Sequence, residues 1–221
     1  MELEIACYDR LANYDDILNN IFTGAKCTAK CLCIPSGLIS KTSFFREYIK
    51  ISAAVDFPYG LSETSVRVHE ILVAGRAGAS FIDLVVNTNL TAESNWAEIR
   101  KDMRACIEAC EANNMELRPT IEYRLFPAET VIKLCEVLKS AGASHVANST
   151  GIMADDTSDN VIICHSIQEK VGISVIACGR IWTPAHFRLF NKAGVDTIRL
   201  TSPRLAEEFL GLVYNFFRPG S

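Results

Sequence analysis

The chain has 221 residues, 49% of them hydrophobic and 22% charged, with a formal net charge of −4; this is an ordinary globular balance and enough chain for one domain with a full core. There is no basic block, so nucleic acid is not expected as a partner. No apolar run approaches the ~20 residues that span a bilayer, and Met1-Glu2-Leu3-Glu4 lacks the basic stretch and apolar core of a secretion signal, so a single cytoplasmic domain over 1–221 is expected.

In chain order, strands are predicted near 2–8 and 28–34, the second with Cys31 and Cys33 on one face. A third lies near 51–57. Ser62 is placed as the cap of a helix carrying Val66, Val68, Ile71 and Leu72. Ala74-Gly75-Arg76-Ala77-Gly78-Ala79 then leads into a strand near 81–87. A glycine closing a helix, with a strand two or three residues on, is the short return loop of a βαβ unit. Trp96, Ile99, Met103, Cys106, Ile107 and Cys110 form a helical stripe before a strand near 116–122. Pro127 opens the helix of Val131, Leu134, Cys135 and Leu138. Gly142 then precedes a strand near 144–149, and another strand follows near 173–178. Thr183-Pro184 starts the helix of Phe187 and Phe190, and Gly194 precedes the last strand near 196–201. Eight strands alternating with helices predict the α/β class and a (β/α)8 TIM barrel. The competing doubly wound sheet would more often show a Gly-x-Gly-x-x-Gly turn, and none is present.

The nine cysteines are odd in number and sit mostly in apolar patterns, which fits buried, reduced thiols better than a disulfide frame. Cys27, Cys31 and Cys33 have no Cys-x-x-Cys partner or paired histidine, so no metal and no cofactor are expected.

A barrel of this kind builds its site from strand C-termini and the loops after them. Asp83 stands in the apolar run Phe-Ile-Asp-Leu-Val-Val, where a lone carboxylate is costly to bury. It either pairs with Arg118 on the next strand or serves as a general acid or base with a shifted pKa. Arg118, Thr120 and Glu122 share a face of strand five. Glu122 reads as an orienting group before a proton-transfer group. Arg118 either clamps an anionic substrate or neutralises Asp83 and Glu122. Strand six puts His145, Ala147 and Ser149 on one face and Asn148 on the other. His145 reads as an interior histidine and Cys178 as a small buried hydrophobe.

Several motifs then occur in order. They are Ala54-Val55-Asp56-Phe57-Pro58-Tyr59-Gly60, Phe81-Ile82-Asp83-Leu84-Val85-Val86-Asn87, Ile121-Glu122, Gly142 to Gly151, Ala177-Cys178-Gly179-Arg180-Ile181-Trp182-Thr183 and Ala193-Gly194. Together, over residues 28–205, they resemble deoxyribose-phosphate aldolase, a class I aldolase family with a (β/α)8 barrel. The resemblance implies a Schiff base on a strand-six lysine, whose matching position here is Ala147. It implies a second lysine on strand seven, matched by Ile176, and a third on strand five, matched by Arg118. The family's strand-four aspartate is matched by Asp83. The implied phosphate site matches Gly151, Gly179, Thr201 and Ser202, but Arg180 stands at its second glycine and Arg199 where a glycine is usual. These side chains either fill the space of a phosphate or bind another anion.

A Schiff base needs an amine that can be neutral, and arginine cannot supply one. The first expectation is therefore a divergent lyase-like enzyme. Asp83, Glu122 and Arg118 would work on a small polar or anionic carbonyl-type substrate held by Asn148, Arg180, Arg199, Ser202, Gly151 and Gly179. The chemistry would be lyase, cyclisation, isomerisation or condensation without a lysine imine. The alternative is an inactive pseudo-aldolase that binds a ligand or regulates. A third reading, a purely structural subunit, has no positive support. Family members are often dimers, so the resemblance implies a homodimer as an option.

Overall fold

Strands buried on both faces read as short, nearly continuous apolar runs, and eight such runs organise this chain. The computed structural model describes residues 1–8, 15, 19, 29–42, 46–153, 156–179 and 181–201. Its strands are β1 (Glu2–Ala6), β2 (Cys31–Pro35), β3 (Lys50–Val55), β4 (Phe81–Val85), β5 (Glu116–Thr120), β6 (His145–Ala147), β7 (Ser174–Ala177) and β8 (Thr197–Leu200). All neighbours are parallel, and β8 pairs back onto β1 to close the barrel. Closure leaves no sheet edge exposed. The (β/α)8 expectation is met, with each strand shorter than its predicted span.

The helices among the described residues are α1 (Ile39–Thr42), α2 (Thr64–Ala77), α3 (Thr88–Ala92), α4 (Trp96–Glu111), α5 (Ala128–Ala141), α6 (Thr157–Val171) and α7 (Pro184–Lys192). None is long and apolar enough to cross a membrane. Their starts are chemically marked. Asn95 accepts from Glu98 N, Asp156 from Ser158 N and Asp159 N, and Thr183 from His186 N, each relieving amides that have no intrahelical partner. Gly78 and Gly142 close α2 and α5 at φ 102° and 117°, a left-handed conformation that suits glycine.

Two expectations shift. Ser62 does not cap α2. The cap position is Glu63, and Ser62 Oγ donates instead to Asp56 Oδ1 at 2.8 Å. Asn87, within the span predicted for strand four, lies beyond it and caps α3, accepting from Leu90 N at 3.0 Å.

Alternation along each strand divides the interior in two. Outward residues such as Ile5, Leu32, Ile51, Ile82, Val146 and Ile198 form the main apolar core under the helices. Burial of this kind contributes roughly 1.5–3 kcal/mol per large aliphatic side chain. Inward residues fill the lumen, and there the sequence departs from a plain apolar packing.

Candidate functional site

The lumen is built around four charges. Register sets Glu4 of β1 beside Arg199 of β8, and Asp83 of β4 beside Arg118 of β5. Each arginine also reaches across the barrel. Arg118 donates through Nη1 to Glu4, and its Nη2 lies 3.1 Å from Asp83 Oδ1. Arg199 donates through Nε to Glu4 Oε2 at 2.9 Å and through Nη2 to Asp83 Oδ1 at 2.8 Å. Ser52 Oγ completes the ring, donating to Asp83 Oδ2 at 2.5 Å and accepting from Arg118 Nη2 at 2.9 Å. All four charged residues are at most 2% exposed.

Two carboxylates and two guanidiniums balance, which is how ions persist in a site without water. Burial works against the charge on Asp83, but Arg118 and Arg199 outweigh it and hold the carboxyl down to about 2. Burial likewise opposes ionisation of Glu4, and the same two arginines overcome it, lowering its pKa. Both oxygens of Asp83 are engaged by these partners. The pairing expected between Asp83 and Arg118 is present. Arg199, expected among substrate-binding groups, is a member of the same sealed cluster.

Glu4, Cys31 and Cys33 offer donor atoms within 4.8 Å of one another. The donor set does not suit a metal here, because Arg118 Nη2 already stands 3.6 and 3.9 Å from the two sulfurs and Glu4 is spent on guanidiniums. Below the cluster, the Phe81 ring carries Arg118 at 4.4 Å from its centroid, with Lys50 Nζ at 5.5 Å and Lys30 Nζ at 5.9 Å, distances at which a ring face attracts cations.

The wall at β6 and β7 is apolar. Ala147, Ile176 and Cys178 pack as a separate buried cluster. Burial comes first among the influences on the Cys178 thiol and pushes its pKa up to about 12, so it is a thiol and not a thiolate near neutrality. Near this wall Thr120 Oγ1 is buried without a hydrogen-bond partner, as is Arg118 Nε in the cluster.

Glu122 and Asn148 brace the strand ends. Glu122 Oε1 accepts from Thr150 N at 2.9 Å and from the Thr150 hydroxyl, and Oε2 accepts from Ser149 Oγ at 3.3 Å. Ser149 Oγ in turn accepts from Gly151 N at 2.9 Å. Glu122 thus organises the turn after β6. Gly151 sits there at φ 77°, facing Thr201. Asn148, expected among substrate-binding groups, is turned out of the barrel and fully buried. Its Nδ2 donates to Asn160 of α6 at 2.7 Å and its Oδ1 accepts from Cys178 N at 2.8 Å. Asn148→Ala is expected to leave the Cys178 amide without its acceptor and to cost about 1–3 kcal/mol, read by urea unfolding. Gly179 follows Cys178 at φ 125°. Arg180 and Ser202 lie outside the described residues.

The open space lies above β1–β3. A cavity of about 660 Å³ at their C-terminal ends is lined by Tyr8, Pro35, Asp56, Phe57, Tyr59 and Glu70, among others. Its walls are fixed from behind. Glu70 accepts from Ser36 Oγ at 2.5 Å and from Asp56 N at 3.1 Å. Arg67 of α2, 1% exposed, holds Asp56 at 3.3 Å, pairs with Asp102 and donates to Val85 O. At Gly60, φ 68°, a Cβ would lie 2.7 Å from Val86 O and 2.8 Å from Val85 O, so the cavity loop closes onto β4 only through glycine. Tyr8 is the floor. Its ring stacks on Phe57 at 4.5 Å, and its hydroxyl receives Arg199 Nη1 at 3.4 Å. Burial, only partly opposed by Arg199, raises the phenol well above its ordinary value.

Sequence reasoning missed Glu4, Ser52 and Tyr8. A signal for Glu4 was present: Arg118 and Arg199 are two interior cations, Asp83 is one anion, and Glu2-Leu3-Glu4-Ile5 alternates charge with apolar residues in a strand.

No protein-family model matches the chain. It is 28% identical over 161 residues to deoxyribose-phosphate aldolase of Mannheimia succiniciproducens, covering 72% of this chain and 69% of that one. It is 30% identical over 156 residues to the deoxyribose-phosphate aldolase of Desulfitobacterium hafniense, covering 70% and 71%. Among solved structures, an aldolase designated QR15 matches at a TM-score of 0.86 and 22% identity, over 97% of this chain and 96% of that one. The deoxyribose phosphate aldolase from Aeropyrum pernix, described as tetrameric, matches at 0.85 and 21%, over 96% and 90%. At those identities the structural likeness speaks for the barrel, and the sequence relatives speak for descent: the chain belongs to the deoxyribose-phosphate aldolase family.

Proposed function

We propose that this barrel has left lysine-imine chemistry and acts as a ligand-binding member of its aldolase family, taking a small polar molecule into the cavity above β1–β3. The observation that carries this reading is the state of Asp83. A carboxylate with both oxygens engaged by two guanidiniums and a serine, held near a pKa of about 2, is a poor acid and a poor base at neutral pH. Ala147 and Ile176 support it, since neither offers an amine and both are at most 1% exposed. Lys30 and Lys50 stand against the Phe81 ring, at the opposite end of the strands from the cavity. The eight buried free thiols among the described residues support a reducing, cytoplasmic setting.

The aldolase relatives favour a second reading, turnover by acid–base chemistry without an imine. In that case Tyr8, poised between Arg199 and the cavity, is the group to test rather than Asp83.

One experiment addresses both. The protein is incubated with 2-deoxyribose 5-phosphate and with acetaldehyde, each with borohydride, and intact mass and aldehyde release are followed. No adduct and no cleavage are expected. A reduced adduct on any lysine defeats the proposal outright. Cleavage without an adduct transfers support to the second reading.

A further inference from the structure

The cavity above β1–β3 has a sign. Among the described residues no lysine, arginine or histidine lines it, whereas Asp56 and Glu70 both do. Arg67, behind them, is divided: it lies 3.3 Å from Asp56 and also pairs with Asp102. One guanidinium thus faces three carboxylates. Arg199 reaches the floor at the Tyr8 hydroxyl, but its charge is matched inside the lumen by Glu4 and Asp83. A cleft with one sign of charge on low-dielectric walls concentrates its field on what enters.

Glu70 is the acid left over. Among the described residues it has no ion pair, and its hydrogen bonds come from uncharged donors, Ser36 Oγ to Oε1 at 2.5 Å and Asp56 N to Oε2 at 3.1 Å. A carboxylate has about four lone-pair positions. These two bonds fix its direction and leave room for a charged donor.

The same lining carries three rings, Tyr8, Phe57 and Tyr59. Ring faces attract cations, more strongly once the cation has shed water. Tyr59 is 69% exposed, which puts it at the rim. Acids alone would suit a hydrated metal ion. Rings beside acids suit a cation that has apolar surface of its own to bury. The volume, about 660 Å³, is that of a small-molecule site and far more than an inorganic ion fills.

We propose that this cavity selects a small organic ammonium ion, its charge set against Glu70 and its carbon groups against the rings of Tyr8, Phe57 and Tyr59. The proposal rests on the reading of the cavity as the binding site and gives its ligand a chemical class.

The test is titration calorimetry of the full chain at low salt with three probes. Choline carries the charge, 3,3-dimethyl-1-butanol has the same shape without it, and 2-deoxyribose 5-phosphate has the opposite sign. Choline is expected to bind with a dissociation constant below about 1 mM, the alcohol at least about tenfold more weakly, and the sugar phosphate more weakly still. Glu70→Gln keeps both hydrogen bonds, its carbonyl accepting from Asp56 N and its NH2 donating to Ser36 Oγ, and should weaken choline binding roughly tenfold. Tyr59→Leu, at an exposed position, should weaken it roughly threefold with an unchanged melting curve. No binding of choline overturns the proposal. So does an alcohol or sugar phosphate that binds as well as choline, or an unchanged choline affinity in either folded variant. A lysine adduct in the borohydride experiment would instead defeat the reading beneath it, whereas no adduct together with no choline binding defeats this proposal alone.

Discussion

Asp83→Asn is expected to lower the unfolding free energy by about 3–5 kcal/mol, a structural loss much larger than removal of a solvent-facing catalytic acid would cause. The substitution removes one of two anions that face two guanidiniums in the closed lumen. Arg118 and Arg199 would then share Glu4 alone, leaving a net positive charge where no water reaches. The asparagine amide can still accept from Ser52, but its NH2 group faces arginine donors, which repel it. Urea unfolding of the parent and the variant gives the difference directly. A companion variant sharpens the test. Asp83→Leu together with Arg118→Met removes one charge of each sign and restores neutrality, so it should recover part of the loss. A cost below about 1 kcal/mol for Asp83→Asn would mean that the cluster is not a stabilising unit.

The same cluster sets a pH limit. The Asp83 carboxyl falls from its ordinary 3.8 to about 2 in the folded chain. A group depressed on folding stabilises the fold above its unfolded value, and that contribution is lost as pH falls through 3.8 toward 2. The loss is about 2 kcal/mol from Asp83, and Glu4, also lowered, adds to it in the same sense. Glu116 is held down to about 2, chiefly by its hydrogen bond to His145, but it is 36% exposed on its side chain and screened by solvent. Stability should therefore be level above about pH 5 and fall steeply below pH 4. In Asp83→Asn the acid limb should be shallower, leaving chiefly the Glu4 contribution. Parallel limbs in parent and variant would assign the acid sensitivity to other groups.

The barrel was legible because both-face burial and left-handed glycine caps leave local marks, as at Gly78, Gly142 and the run Phe81–Val85. The pairing of Asp83 with Arg118 was legible as well, since adjacent strands in register juxtapose residues that can be counted. What could not be counted was the lumen. Glu4 and Arg199 are neighbours across 195 positions of sequence, and only closure of β8 onto β1 brings them together. Ser52 and Tyr8 were hidden for another reason: a serine in a strand, or a tyrosine just past the end of one, carries no signal of what it faces. Asn148 was legible as an outward residue, since strand alternation sets it on the side away from Ala147, where it meets Asn160.

The balanced lumen also constrains which substitutions the barrel can accept one at a time. A lysine placed at Ala147 or Ile176 by a single substitution would enter a compartment whose two carboxylates are already committed, so the newcomer would have no counterion and the fold would suffer. Accommodating such an amine calls for the loss of an arginine at the same time, on a different strand. Variation at positions 4, 83, 118 and 199 is therefore expected to come in matched pairs.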